Sequence, residues 1–491
     1  MPTDAHSPKA SYDLCIVGAG YAGVNALHAA KDYLSRGARV LIVDLRDGYA
    51  GQWREQYPYV RLHQPYRHFT AGDVPWTLKK PRDYLAARDE VVAHLSAIAA
   101  EVAQRLSVET KFNHRYIKHH EAGDEVSITL TTADDDHGKS LFEVKAKRLI
   151  LAQGFAVEVL KPFDWSSESI ESMSVRDPRI ADISTDNLPP AIYIVGGGKT
   201  AMDCAHHLIK TTQAKVPIHM FAGRGSWFTV RETIFPTGWR RWLYGSSKLF
   251  SDWFIWITLR YRGENAAEIY QALADRDFLH SLVPKPKNFT FGLLSKTELA
   301  TIKNGVKQVH VGHIKSIHDI DGTPIAMLEH EGRTSEHPLE SGAWVVNATG
   351  HIKDAEVLPI LSEGGRVCAP QRFLIFTGPS AFVATHLFYL DKLKECWKAF
   401  RWTSMEFEPR ERMGLNFTAL YISNLMEILF KLPLKVLLSL YADFNRWFPW
   451  HRQIPALINL LRYRSKLRDL GNRLLPSRYP ENEPRAPSND T

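Results

Sequence analysis

Cysteine is scarce. There are four in 491 residues, Cys15, Cys204, Cys368 and Cys396, and no two lie within four positions of each other. That spacing excludes a disulfide framework, a zinc-ligand pattern and a redox Cys-x-x-Cys pair, and it suits a reducing compartment. Long apolar runs are missing too. No stretch reaches the roughly eighteen uncharged residues of a spanning helix, and Lys431, Lys435 and Asp443 interrupt the best candidate. Met1 to Asp13 hold no charged flank followed by an apolar run, so no secretory signal is read there and a cytoplasmic location is expected. No His-Glu-x-x-His or carboxylate–histidine cluster occurs, so no metal site is expected. The charge excess is small, 61 Lys and Arg against 54 Asp and Glu. These cations are dispersed and accompany no nucleic-acid motif, so nucleic acid is not an expected partner.

What is present is a pattern of short apolar strands, each followed by a glycine turn and a helix. Residues 12–17 form an apolar run ending at Gly18, residues 24–36 read as a helix, and 39–43 as a second buried strand. Together they make a βαβ unit. A longer amphipathic helix is expected over 83–106, hairpin-like strands at 125–131 and 140–146, and an apolar strand at 148–152. The Pro- and Ser-rich stretch 162–190 reads as a linker. Strand 191–195, helix 200–210 and strand 216–222 then repeat the βαβ unit, and 306–347 returns to short strands.

Each unit carries a dinucleotide fingerprint. The first is Gly18-Ala19-Gly20-Tyr21-Ala22-Gly23, between strand and helix. Gly18 permits the tight turn, Gly20 lets a pyrophosphate approach the backbone, and Gly23 lets the helix pack close to the strand. Asp44 ends the next strand, where an acid accepts hydrogen bonds from ribose hydroxyls. The second is Gly196-Gly197-Gly198-Lys199-Thr200-Ala201, with Ala in place of the third Gly. Lys199-Thr200 does not make a P-loop, because Tyr193 stands where the first Gly of that motif belongs. The position equivalent to Asp44 is read as Arg224, whose guanidinium either pairs with a 2′-phosphate or is a solvated surface group. FAD is therefore assigned to the first site and NADPH to the second. With no cysteine pair to receive electrons, the flavin must deliver them to oxygen or to an organic acceptor.

These motifs, with Gly51-Gln52-Trp53, Tyr57-Pro58-Tyr59-Val60-Arg61-Leu62-His63-Gln64-Pro65 and Ala348-Thr349-Gly350, make the chain resemble the class B flavoprotein monooxygenases. These are the flavin-containing and Baeyer–Villiger monooxygenases, and the likeness covers roughly residues 12–390. Leu151-Ala152-Gln153-Gly154 is a looser copy of the Ala-Thr-Gly feature. The chain departs from the family before the second glycine motif, where Ser172 to Asp182 lacks the Gly and His of the Phe-x-Gly-x-x-x-His signature. It is thus similar to a divergent member. The resemblance implies an α/β fold of two Rossmann-like domains, the NADPH domain inserted into the FAD domain, plus a helical C-terminal region. Expected boundaries are 10–160 and 341–398 for FAD, 161–340 for NADPH with an insertion at about 225–300, 399–480 for the helical region and 481–491 for a disordered tail. It further implies that Gln52, Trp53 and Gln64 cover the flavin and that Thr349 and Gly350 lie at the cofactor crossing. Arg61 and His63 fall near the flavin, where His63 either donates a hydrogen bond or moves a proton, or simply packs. Thr377-Gly378-Pro379-Ser380 is similar to the final turn before a helix that approaches the flavin.

The reaction so implied is hydride transfer from NADPH, formation of a flavin hydroperoxide and oxygenation of a small lipophilic substrate. A reductase passing electrons to a quinone or unsaturated acceptor is the competing reading, and a flavin-binding scaffold without turnover is a third. Two readings stand for Trp253-Phe254-Ile255-Trp256-Ile257 and for 400–475: packing as core or lid, or a surface that dips into a bilayer as a peripheral membrane contact.

Overall fold

The computed structural model describes residues 11–135, 140–154, 156–157, 160–186, 188–350, 352–353, 358–370, 373–374, 376–402, 410–440 and 443–476. Two five-stranded parallel sheets organise the chain. The first runs, strand beside strand, Val367–Cys368, Leu149–Leu151, Leu14–Val17, Arg39–Val43 and Ser107–Lys111. The second runs Ile170–Ser174, Ala343–Asn347, Ile192–Val195, Ile218–Phe221 and Gln308–His310. In each, the strand before the glycine turn is central. Its neighbours are the next strand of its βαβ unit and a strand that returns from far along the chain.

The central strands are apolar throughout because helices or a further sheet cover both faces, as parallel sheets require. Leu14, Cys15, Ile16, Ile192 and Ile194 are fully buried. Each such aliphatic side chain contributes roughly 1.5–3 kcal/mol relative to exposure. Helices Tyr21–Ala30 and Thr377–Tyr389 pack on one another over the first sheet. Two antiparallel sheets, one built on His114–Ala122, Glu125–Thr132 and Phe142–Ala146 and the other on His313–Ile320, Thr323–His330 and Arg333–Pro338, flank the parallel layers.

Several expected bounds shift. The helix expected over 24–36 spans Tyr21–Ala30: Gly20 is already its extended N-cap, and the chain must turn back by Gly37 to reach the strand at Arg39. The helix expected over 83–106 spans Arg88–Ala103, because Leu62 donates to the Ala86 carbonyl and Arg61 bridges Ala87, which holds the preceding residues extended. The stretch expected as a linker contributes the edge strand Ile170–Ser174, in register with Ala343–Asn347. Its Ser and Glu residues break the apolar run that marks the other strands.

The C-terminal region is helical over Arg410–Ile428, Leu434–Ser439, Trp450–Arg462 and Arg464–Leu474. The run Trp253 to Ile257 is buried, Trp253 and Trp256 in a cluster with Leu415, Leu420, Trp447 and Phe448. Among the described residues no helix is long and apolar enough to cross a membrane. The expected tail, 481–491, lies outside the described residues.

Candidate functional site

The first glycine turn is held by its backbone. Gly18 adopts φ +105°, and its amide donates to the Val43 carbonyl at 2.7 Å. A Cβ at Gly23 would collide with the Gly18 carbonyl, so only glycine lets this helix start so close to the turn. At Gly20 the nearest outside atom is 3.5 Å from an added Cβ, the Gly51 Cα, which leaves the backbone approachable from that side. Tyr21 and Ala22 begin the helix. The first amides of a helix have no partner within it, so they face outward as an anion site. The Tyr21 ring stacks on Phe69 at 3.9 Å, and Trp53 meets the edge of Phe69 at 5.4 Å.

Asp44 is 7% exposed. Its Oδ2 accepts from the Ala19 amide at 2.6 Å and its Oδ1 from the Arg46 amide at 2.9 Å. The carboxylate thus braces the turn as well as lining the cavity in front of it. That cavity, about 330 Å³, starts at Gly18, Gly20, Tyr21 and Ala22 and passes Asp44, Gln52 and Trp53 to His63 and Gln64. It ends against an apolar wall of Ile234, Phe250, Phe291, Leu293, Phe376 and Phe444. Thr377 and Pro379, at the start of the helix Thr377–Tyr389, also line it.

The second turn repeats the plan. Gly196 adopts φ +143° and donates to the Phe221 carbonyl at 2.9 Å. A Cβ on Gly198 would meet nothing within 4 Å, so this turn too is open at its second fingerprint glycine. Lys199 and Asp203 form an ion pair one turn apart on the helix Lys199–Thr211, and Tyr57 donates to Asp203 Oδ2 at 2.9 Å. Burial, then the Asp203 charge, raises the Tyr57 hydroxyl well above its ordinary pKa. Ala201 is fully buried. The Thr349 amide and hydroxyl both donate to Asn347 Oδ1, and an added Cβ at Gly350 would lie 3.2 Å from Thr200 Oγ1. Thr349 and Gly350 therefore sit at the second turn, just as Gln153 and Gly154 sit at the first: Ala348 donates to Val195 and Ala152 to Val17.

Strand register corrects the position of Arg224. Val17 pairs with Val43 and Val195 with Phe221, so the residue matching Asp44 is Ala222. Arg224 stands two residues further on, matching Arg46. It is half exposed, and its Nη1 lies 2.9 Å from Glu411 Oε1.

His63 lies between the two turns. The Leu293 amide donates to its Nδ1 at 3.2 Å, and Arg231 donates to its carbonyl at 2.8 Å. Burial, then the charges of Lys199 and Arg231, lowers its pKa to about 3. It is a neutral imidazole with the proton on Nε2, suited to donating a hydrogen bond rather than to exchanging protons near neutrality. Burial pushes the nearby Glu298 carboxyl up, but Arg231, Lys199 and hydrogen bonds from Ser295 outweigh it and hold the pKa at about 2. Arg61, expected beside His63, stands apart. It is exposed, and its Nη1 donates to the Leu85 carbonyl at 3.0 Å and to the Tyr84 hydroxyl at 3.3 Å, which hold its guanidinium against the segment that precedes the helix Arg88–Ala103.

Sequence reasoning did not find the wall residues Phe250, Phe291 and Phe444, nor Phe69 stacked on Tyr21. They come from segments far apart in the chain and carry no motif. All four cysteines are buried, and burial raises the thiol pKa of each.

Residues 12–224 match the family described as pyridine nucleotide-disulphide oxidoreductase, a segment that contains both glycine turns. Uncharacterised proteins of Mycobacterium tuberculosis and Mycobacterium bovis are each 24% identical over 252 residues, covering 48% of this chain. The chain spans 43% of the length of those relatives. Among solved structures, a cadaverine monooxygenase from Erwinia amylovora is 12% identical, covering 79% of this chain and 95% of that one, with a TM-score of 0.47. The bacillithiol disulfide reductase of Staphylococcus aureus is 10% identical, covering 79% of this chain and 99% of that one, with a TM-score of 0.44.

Proposed function

We propose that this chain is an FAD- and NADPH-dependent oxidoreductase that uses O2 to oxygenate a small lipophilic molecule. The observation that carries the reading is the pair of glycine turns with one hydrogen-bond plan, each open where a diphosphate approaches. In it, the NADPH unit is inserted between the two parts of the FAD unit. Gly18, Gly20, Tyr21, Ala22 and Gly23 hold the FAD diphosphate, and Asp44 accepts from its ribose while bracing the turn. Gln52, Trp53 and Gln64 cover the flavin. Gly196, Gly198, Lys199, Thr200 and Ala201 hold the NADPH diphosphate with Thr349 and Gly350 beside it, and Arg224 reaches the 2′-phosphate.

Bound FAD supplies the redox chemistry, taking hydride from the nicotinamide and passing electrons to oxygen. The residues supply position and dryness. His63 presents its Nε2 proton at the junction of the two units and stays neutral across physiological pH. The wall of Ile234, Phe250, Phe291, Leu293, Phe376 and Phe444 excludes water from the reacting end and favours an apolar substrate. With every cysteine buried and no Cys-x-x-Cys in the sequence, electrons have no dithiol to enter.

Purified protein is expected to carry FAD and to consume NADPH in air while an added lipophilic amine, sulfide or ketone gains one oxygen atom, with consumption ceasing under argon. Consumption that continues under argon with a quinone, and no oxygenated product, identifies the reductase instead. A colourless protein that takes up no flavin and leaves NADPH intact overturns both.

A further inference from the structure

The helix Trp450–Arg462 buries Arg452, Ala456 and Leu460 and turns a second, apolar stripe outward. Trp450, Ile454, Leu457 and Ile458 recur at i, i+4, i+7 and i+8 and are between 49% and 59% exposed. Its inward face carries Arg452, only 3% exposed. A surface helix of a globular protein normally turns its apolar stripe to the core, and burying a guanidinium is costly unless it is well bonded.

Arg452 is bonded to one loop. Its Nη1 donates to the carbonyls of Arg240 and Arg241 at 3.1 and 3.2 Å and to Ser247 Oγ at 3.1 Å, and its Nη2 donates to the Ser247 carbonyl. The loop so held presents Trp239, Trp242, Leu243 and Tyr244, between 52% and 66% exposed. Loop and helix are locked together: Tyr244 donates to the His451 carbonyl, and the His451 ring bonds the Trp242 carbonyl at 2.9 Å. Single exposed apolar residues are ordinary. Eight large ones on two interlocked elements make a surface that marks an interaction site.

The loop and the helix themselves carry charge of one sign, with Asp252, Asp443 and Asp469 just outside them. From Thr237 to Ser251 there are three Lys and Arg and no Asp or Glu, and from Phe444 to Arg468 six and none. At the foot of the helix, Arg67, Arg82, Arg241 and Arg446 line a cavity of about 300 Å³ with Trp450 and Gln453, and among the described residues no carboxylate lines it. Arg82 lies over the Trp447 ring and donates to the Arg446 and Trp447 carbonyls, which fixes its head in place. His68 lines both this cavity and the one in front of the first glycine turn.

We propose that this face docks on an anionic lipid bilayer. The tryptophans and aliphatic side chains enter the interface, and the arginine-lined cavity takes a lipid phosphate. Tryptophan with lysine and arginine is the composition of an interfacial surface, and arginine's fork matches phosphate geometry. A second copy of the chain is disfavoured as the occupant, because a two-fold contact would set this cationic face against itself. The docking places the His68 side of the redox cavity toward the bilayer, from which a lipophilic substrate can enter.

The test is sedimentation of the full chain with vesicles of phosphatidylcholine alone and of phosphatidylcholine mixed with phosphatidylglycerol. Binding is expected to the mixed vesicles, falling with salt, and weak on phosphatidylcholine. The double variant Ile454→Asp/Leu457→Asp, both exposed positions, is expected to melt as wild type does and to bind about tenfold less or worse. Arg67→Glu should reduce binding to the mixed vesicles by about fivefold or more. Three results overturn the proposal: no binding to mixed vesicles, binding unchanged in the aspartate variant, or a stable dimer in solution that the aspartate variant dissociates. Vesicle binding needs neither cofactor nor turnover, so its failure leaves the redox reading standing.

Discussion

The two glycine turns share a frame and differ in what stands at the tip of the following strand. In the first, Asp44 reaches back and accepts the Ala19 amide, so a carboxylate is built into the turn. In the second the matching residue is Ala222, and its backbone carbonyl lies so close to Gly197 that a Cβ there would collide with it. One turn is braced by a charged side chain and the other by direct backbone packing. A braced carboxylate suits a ribose with free hydroxyls and repels a phosphate at the 2′ position. An Arg stands two residues on in both units, Arg46 and Arg224, so in the proposed reading the second turn's acceptance of a 2′-phosphate rests on the loss of the carboxylate. If the proposed function holds, cofactor discrimination follows from how each turn is supported.

The third fingerprint position breaks the comparison most severely. Gly23 sits so near the Gly18 carbonyl that a methyl group cannot be placed there, whereas the second turn accommodates Ala201, fully buried. The second helix must therefore stand further from its turn. Gly23→Ala is expected to cost about 3 kcal/mol or more by overpacking against backbone that cannot yield. Thermal melting and the flavin-to-protein ratio check this: a lower melting temperature and little bound FAD are expected. A variant that melts as wild type and keeps its flavin shows the two turns to be alike after all.

Gly198→Ala sharpens the comparison from the other side. An added Cβ meets no atom within 4 Å, and the residue already has an extended backbone with φ −91°. Stability should rise by up to about 1 kcal/mol, the usual gain of a Gly-to-Ala change at a compatible site. The methyl group would instead occupy the space a diphosphate needs, so NADPH affinity is expected to fall by at least about tenfold. Fluorescence titration of the holoenzyme measures it, and unchanged affinity places the nucleotide elsewhere.

The glycine turns were legible in the sequence because their signal is local: strand, turn and helix follow within a dozen residues, and each glycine has a backbone reason. The strand Ile170–Ser174 was not, since its Glu and Ser residues hide an edge strand that only pairing with Ala343–Asn347 reveals. Arg224 does not stand opposite Asp44: Ala222 does, by strand register and by count alike, since Asp44 lies 26 residues after Gly18 and Ala222 lies 26 after Gly196. His63 was found but not its protonation state, which depends on Leu293, Lys199 and Arg231 from three other segments. Arg61 was misplaced because a motif fixes residue type and order, not the side to which each side chain turns. The apolar wall stayed invisible for the same reason: Phe250, Phe291 and Phe444 meet only in three dimensions.

The smallest expected effects concern the tip of the second unit. Arg224 is half exposed and already paired with Glu411 at 2.9 Å, so its guanidinium is partly screened and must exchange one anion for another when a 2′-phosphate arrives. Arg224→Ala should therefore weaken NADPH binding by about tenfold, at the low end for a charge-assisted hydrogen bond, and leave NADH nearly unaffected. Glu411→Gln removes the competing carboxylate while keeping the shape of the side chain. It should strengthen NADPH binding by about two- to threefold, the scale of one exposed ion pair, and again leave NADH unchanged. The sign is what matters. If Arg224 were a solvated surface residue, neither substitution would separate NADPH from NADH. If Glu411 instead oriented Arg224 for the phosphate, Glu411→Gln would weaken NADPH binding rather than strengthen it.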